Sequence, residues 1–472
     1  MKIIPKEITE ALNQSYGFIL QIKGIAGTGK STLALELLSK LKNPVYISTR
    51  ITPQLLYKQF PWIKEFLPED NILDATAFEL TKTPLIDEAS FFKMLKMQNL
   101  PDFIKILSSK INTLPSGEGT IVIDSWDAIA ILSEVSWGKK NSMLANYVLE
   151  LVRQKGLNLI LIEETEKESY LDYLGDGIIH LQKSLFKGNR RVRNLLLHKL
   201  RGIEITQSSY LFTLNNGKFT TFSPTRRYDF IAPTKVIPNP DNPPRISSGI
   251  PDLDQLLNGG YVSGNIILHE VQPYLAYANG WFLAHLVIQF LSQERATIGV
   301  PPTGRDHTYE LNYVQNLVGP TIFKKCFRLI EPLNDKPTGP SYVIQIKPSS
   351  SLDYFEQIIQ SAEDLKKHSP NQPYLFVIDV NQPAYIYDLK ELQQNTTRII
   401  NLLRKAGHIF YLTADSGNPY IDNLKQEVDA HFIISQIDGK IVYYGNNPQT
   451  NLFAMDFEAK DGVASIDLVP IV

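Results

Sequence analysis

Gly24-Ile25-Ala26-Gly27-Thr28-Gly29-Lys30-Ser31 is the stretch on which the reading of this 472-residue chain turns. It fits G-x-x-x-x-G-K-[ST] at every fixed position, follows the apolar run Phe18-Ile19-Leu20-Gln21-Ile22 and opens the helix-like run Thr32-Leu33-Ala34-Leu35-Glu36-Leu37-Leu38. Strand, glycine-rich loop and helix in that order make a phosphate-binding loop. Glycines let successive N–H groups turn toward phosphate, and the helix N-terminus behind them favours negative charge. Gly24, Ile25, Ala26, Gly27, Thr28, Gly29, Lys30, Ser31 and Thr32 are therefore expected to hold a nucleotide, taken as ATP. Lys30 is expected to reach the β and γ phosphates, and Ser31 to hold Mg²⁺ through its hydroxyl. A purely structural glycine turn leaves Lys30 without an explanation.

Outward from the loop, strand-like and helix-like segments alternate over the first 220 or so residues, the pattern of an α/β fold with a mostly parallel sheet covered on both faces. Val45-Tyr46-Ile47-Ser48, Ile121-Val122-Ile123-Asp124 and Leu157 to Ile162 read as strands. Asp124 closes the second of these, at the strand end where such sheets place their ligands, and is assigned to the Mg²⁺ shell with Ser31. A helix cap is the competing role for this aspartate. Glu163 and Glu164 follow the third strand and are candidates for activating water, against the alternative of solvated loop charges.

Composition bounds the rest. The chain is 43% hydrophobic and 20% charged with a net charge of -2, so no overall charge points to nucleic acid or a membrane surface. A single cysteine, Cys326, excludes an intrachain disulfide and suits a reducing cytoplasm. No run approaches 18 uncharged apolar residues, and Lys2, Lys6 and Glu7 interrupt the start, so neither a membrane span nor a signal peptide is expected and the location is taken as cytoplasmic.

Between Phe222 and Pro244 lie Pro224, Pro233, Pro238, Pro240, Pro243 and Pro244, a semi-rigid linker by composition. Beyond it the first pattern returns in weaker form. Arg153-Gln154-Lys155-Gly156-Leu157 is echoed by Arg404-Lys405-Ala406-Gly407-His408, the Asp124 strand by Phe376-Val377-Ile378-Asp379, and Asp176-Gly177-Ile178-Ile179-His180 by Asp429-Ala430-His431-Phe432-Ile433. Two copies of one fold in tandem follow: residues 1–222 as an ATP-binding domain, 223–244 as the linker and 245–472 as a second domain.

Gly249-Ile250-Pro251-Asp252-Leu253-Asp254-Gln255-Leu256-Leu257-Asn258-Gly259-Gly260-Tyr261 resembles the lead-in segment of the KaiC and RadA branch of RecA-like ATPases. Arg190-Arg191-Val192-Arg193 through Lys199-Leu200-Arg201-Gly202 resembles a late strand of the same branch. Tyr46-Ile47-Ser48-Thr49-Arg50-Ile51-Thr52-Pro53, continuing to Phe60-Pro61-Trp62, is similar to archaeal KaiC-like proteins of the gas-vesicle regulator GvpD type. The resemblance implies two tandem RecA/KaiC-like domains, the second degenerate. After its strand Asn265-Ile266-Ile267-Leu268, the loop position holds His269-Glu270-Val271-Gln272-Pro273-Tyr274 and no Gly-Lys-Ser/Thr. Pro273 lacks an N–H and Glu270 repels an anion, so this domain is expected to bind no nucleotide in the usual way, with Asp379 a structural remnant.

KaiC-like proteins carry a pair of glutamates after the second strand, one of which orients the attacking water. Aligning Thr52-Pro53-Gln54 with the family's Ser-Pro-Gln puts Arg50 and Ile51 there instead. A guanidinium is no base at neutral pH. Slow hydrolysis is the expectation, with Arg50 touching the γ phosphate as its own alternative role. Resemblance to KaiC-like rings also implies that Lys199 and Arg201 reach a neighbouring subunit's γ phosphate. For the wider run Lys187, Arg190, Arg191, Arg193, Lys199 and Arg201, a nucleic-acid patch and a solvated strand face compete with that role. Aromatic residues for base stacking are sparse around it.

Two functions remain open from the sequence. One is an ATP-binding regulatory protein whose nucleotide state controls self-assembly or a protein partner, with transcriptional regulation implied by the gas-vesicle resemblance. The other is a DNA-dependent ATPase of the RadA and recombinase-paralogue kind. A near-neutral chain without a helix-turn-helix or zinc pattern favours the first.

Overall fold

A computed structural model of the chain describes residues 4–14, 16–75, 102–130, 141–225, 237–302, 307–333, 340–369, 371–460 and 463–472. It divides into two compact units, Met1–Ser223 with Ile471–Val472, and Pro224–Pro470. Of the proline-rich segment, residues 226–236, Pro233 among them, lie outside the described residues.

The first unit is built on a sheet of β1 (Ile19–Lys23), β2 (Pro44–Ser48), β3 (Ile72–Asp74), β4 (Thr120–Asp124), β5 (Asn158–Glu163), β6 (Gly177–Phe186), β7 (Arg190–Leu200), β8 (Ser209–Thr213) and β9 (Thr220–Thr221). Their order is β3-β2-β4-β5-β1-β6-β7-β8-β9, parallel from β3 to β6 and antiparallel beyond. Burial on both faces explains why the central strands are almost uninterrupted Ile, Leu and Val. Leu20, Ile22, Val122 and Ile160 pack toward the helix Lys30–Leu38, while Ile19, Ile121, Ile123, Leu159 and Leu161 form the core on the opposite face. Register aligns Ser48 with Asp124 and Lys23 with Glu163, so one edge of the sheet carries the phosphate loop, Asp124 and the two glutamates.

The second unit contains a two-stranded ribbon, β10 (Arg245–Ile246) with β11 (Tyr261–Val262), and a ten-stranded sheet. The sheet comprises β12 (Ile266–Val271), β13 (Arg295–Val300), β14 (Phe327–Pro332), β15 (Val343–Ile346), β16 (Asn371–Asp379), β17 (Ile409–Asp415), β18 (Ala430–Ile437), β19 (Lys440–Asn447), β20 (Phe453–Lys460) and β21 (Val463–Pro470). The order β15-β14-β13-β16-β17-β12-β18-β19-β20-β21 repeats the first sheet with β12 in the place of β1 and β15 added at the edge. Both units are thus one α/β architecture, as the resemblance implied.

Equivalent side chains do equivalent work in the two copies. The Asp176 carboxylate accepts a hydrogen bond from Ile19 N, where β1 begins, and Asp429 accepts from Ile266 N, where β12 begins. Arg153 reaches Asp176 at 3.9 Å and Arg404 reaches Asp429 at 3.0 Å. The aspartate satisfies a strand-end N–H that has no ladder partner, and the arginine offsets its charge.

At the loop position the copies part. β12 runs on through His269 and Glu270, and one short turn, Pro273–Leu275, leads straight into the helix Ala276–Leu291. His269 is fully buried against Phe282, Tyr411 and Tyr443, and burial lowers its pKa to about 3, so the ring stays neutral. Glu270 is bonded to His431 at 3.0 Å. No glycine cradle exists there for phosphate, which is the degeneracy expected of this copy.

Candidate nucleotide site

Glycine is required at Gly24 by close approach, because a Cβ there would collide with the Leu181 carbonyl oxygen of β6. Gly29, at φ 102°, caps the helix Lys30–Leu38, whose N-terminus faces the loop. Lys30 is 6% exposed, and its Nζ donates to the carbonyls of Gly24 at 2.8 Å and Ile25 at 2.9 Å. Burial lowers its pKa, while the carboxylates of Glu164 and Asp124 oppose that shift. Thr28 Oγ1 donates to Ile25 O at 2.9 Å and keeps the turn closed.

Ser31 Oγ donates to Asp124 Oδ2 at 2.6 Å, joining the first residues of the helix to the end of β4. Tyr46 OH, from β2, donates to the same carboxylate oxygen, and burial beside Asp124 holds its phenol protonated. Thr49 Oγ1 donates to Asp124 O at 3.0 Å and accepts from Ser125 N at 2.9 Å, which fixes the strand end. A hydroxyl and a carboxylate side by side at the mouth of a phosphate loop are the oxygen donors that a hydrated Mg²⁺ takes. The donor set fits that ion and the glycine loop fits a phosphate chain. Tyr46 and Thr49 are not among the site residues expected from the sequence, and the β2–β4 pairing brings them to Asp124.

The two strand-end glutamates separate because successive side chains on a strand point to opposite faces. Glu164 forms an ion pair with Arg50, Nη1 to Oε1 at 2.6 Å, and its N–H donates to Asp127 Oδ2 at 2.6 Å. Asp127, like Tyr46, is not among the site residues expected from the sequence. Glu163 is 3% exposed on the other face, beside the buried ion pair of Lys23 Nζ and Asp172 Oδ1 at 2.7 Å. Burial raises the Glu163 carboxyl to about 7 although Lys23 acts against it, and its Oε1 has no hydrogen-bond partner. The structure therefore brings Arg50 and Glu164 together near Lys30 and sends Glu163 elsewhere.

The basic run follows the β6–β7 turn and β7, and Lys183 of β6, outside that run, joins it at the phosphate loop. Lys183 is paired with Arg193 across the two strands, where they overhang the phosphate loop. Lys183 Nζ donates to Ala26 O at 2.9 Å, and Arg193 Nη1 to Gly27 O at 3.1 Å. Arg193 is 5% exposed and serves as a brace behind the loop. Lys199 faces Ile178, about 16 Å further along the hairpin at the far edge of the sheet. Its Nζ donates to Gly175 O at 2.7 Å, and Arg201 pairs with Asp176 at 2.8 Å. Neither touches the phosphate loop of its own chain.

Residues 8–198 match the family model described as GvpD gas vesicle protein, P-loop domain. The first unit carries a GvpD-type P-loop domain. Likeness to GvpD continues past it: the chain is 24% identical to Protein GvpD2 of Halobacterium salinarum over 99% of its own length and 96% of that protein's. For Protein GvpD1 of the same organism the identity is 23%, over 100% and 97%. It is also 24% identical to the circadian clock oscillator protein KaiC of Picosynechococcus sp., over 52% of this chain and 47% of that one. The GvpD-like chain is thus a KaiC/RecA-like P-loop protein. Among its described residues no helix is long and apolar enough to cross a membrane.

Proposed function

We propose that this GvpD-like chain is an ATP-binding regulator, in which nucleotide acts as a slowly hydrolysed switch controlling self-assembly or a protein partner, in regulation of the gas-vesicle type. The Arg50–Glu164 ion pair carries the reading. Arg50 stands where KaiC-like proteins carry a glutamate, and the carboxylate best placed to take its role is committed to a guanidinium. A carboxylate oxygen already committed to a guanidinium is not free to accept a proton from an attacking water.

Mg²⁺, when bound, would neutralise charge on the phosphates. The chain's own part is positional. Lys30 exchanges two loop carbonyls for phosphate oxygens, Ser31 and Asp124 offer their oxygens to the ion, and Tyr46 orients Asp124. Arg50 and Glu164, linking the β2 and β5 ends, are placed to sense whether the site is filled. Lys183 and Arg193 support this over a DNA-dependent ATPase, since both are spent on loop carbonyls.

Binding and turnover of ATP, followed with oligomeric state in the same samples, test the proposal. Tight binding, slow turnover and assembly or partner capture only with nucleotide are expected for the wild type, and their loss in Lys30→Ala. Brisk turnover stimulated by single-stranded DNA would overturn it.

A further inference from the structure

In the second unit, a cavity of ≈ 260 Å³ opens at the C-terminal ends of β12, β13, β16 and β17, the position that the phosphate loop and Asp124 occupy in the first. Its walls are apolar: Leu283 and Val287 from the helix Ala276–Leu291, Leu311 and Val314 from the helix Thr308–Val318, and Phe327 and Leu329 from β14. A dry cavity of roughly 150 Å³ takes up benzene, so this one has room for roughly ten non-hydrogen atoms.

Among its described lining residues the acidic groups outnumber the basic ones. Asp379, Asp415 and Glu310 line it, His307 is the single imidazole, and no lysine or arginine is among the described lining residues. Phosphate is refused by such a wall, and a cation is favoured. Asp379 accepts from Asn381 N at 3.0 Å, Asn381 Nδ2 at 2.9 Å and Thr413 Oγ1 at 3.2 Å, so it is held in one orientation. Burial raises its carboxyl to about 6, a desolvation cost that a bound cation would relieve.

A second observation points to a ligand independently. Thr297 is 0% exposed, and its Oγ1 has no hydrogen-bond partner. Ala296 and Ile298, its neighbours on β13, pack into the core on the other face, so Thr297 and Gly299 face the cavity. A buried orphan hydroxyl is uncommon in a folded core and calls for a partner.

We propose that this cavity is a binding site for a small hydrophobic amine, its apolar body between the sheet and the two helices and its ammonium toward Asp379 and Asp415. The degenerate unit then has a ligand of its own, opposite in charge to a nucleotide, whether or not the first unit works as a switch.

Calorimetric titration of the full chain with phenethylamine, phenethyl alcohol, 3-phenylpropionate and ATP tests it, with Lys30→Ala included so that binding at the phosphate loop is separated out. Saturable binding of phenethylamine is expected in both proteins, weaker for the alcohol and absent for the acid. Asp379→Asn should weaken the amine by about tenfold or more, and Thr297→Val, which keeps the side-chain volume, by about threefold. Gly299→Leu should remove binding by filling the space. The proposal is overturned if the amine does not bind saturably, if the acid binds as well as the amine, or if Asp379→Asn and Thr297→Val, both folded, bind it unchanged.

Discussion

Arg50 and Glu164 lie 2.6 Å apart, Nη1 to Oε1, across the ends of β2 and β5. The pair couples two strands that flank Asp124 on either side, and Glu164 also acts electrostatically on Lys30. A contact half exposed to water is worth little as stability, so its importance lies in where it holds the Glu164 carboxylate.

Replacing Arg50 therefore alters chemistry more than folding. Arg50→Ala should raise ATP turnover by on the order of tenfold, by releasing Glu164 to act on water. Steady-state phosphate release checks this. The double variant Arg50→Ala/Glu164→Gln should fall back to the wild-type rate or below, whereas a fall in ATP affinity with Arg50→Ala alone would identify Arg50 as a phosphate contact.

Lys30→Ala should lower ATP affinity by about a hundredfold, because a buried ammonium facing the phosphates is lost. Asp124→Asn should weaken binding by about tenfold in Mg²⁺ and leave it nearly unchanged in EDTA. Fluorescent-nucleotide titration with and without the ion separates the two.

Glu163 predicts a pH dependence of stability. Its folded-state carboxyl sits at about 7 against the ordinary 4.5, so the folded unit holds this proton more tightly than the unfolded chain. The contribution is fully present below pH 4.5 and is lost as pH rises through 7, by on the order of 3 kcal/mol. Thermal melts should show Glu163→Gln equal to wild type near pH 4.5 and more stable at pH 8. If Glu163 were the base for hydrolysis, the same variant would abolish turnover.

Lys199 and Arg201 are tied to Gly175 O and Asp176 at the sheet edge away from the loop. Any effect on phosphate must therefore come from another copy of the chain. Lys199→Ala/Arg201→Ala mixed with Lys30→Ala should recover turnover that neither has alone, if each supplies what the other lacks. Arg201→Ala alone should cost less than about 1 kcal/mol, since its side chain is more than half exposed.

The phosphate loop, the strand ending in Asp124 and the tandem repeat were legible because they depend on local rules. Glycine spacing sets backbone freedom, and apolar runs set buried parallel strands. The echoes Arg153/Arg404 and Asp176/Asp429 could be aligned by eye, but their shared work, holding the first N–H of the central strand, needed the fold. Tyr46, Asp127 and Lys183 were not legible as site residues. Each is an ordinary residue in its own segment and becomes functional only through strand order or the overhang of the β6–β7 hairpin.

From the sequence alone came the nucleotide loop, the α/β class and the missing second loop, since these follow from residue type at short spacing. Tertiary structure alone decided which glutamate faces Arg50, which basic residues brace the loop and which lie at the far edge. It also decided that the altered second unit opens an apolar cavity lined by carboxylates at its strand ends. The physical reason is the same in each case: strand alternation and pairing register, which relate residues distant in the chain, choose the face and the partner of every side chain.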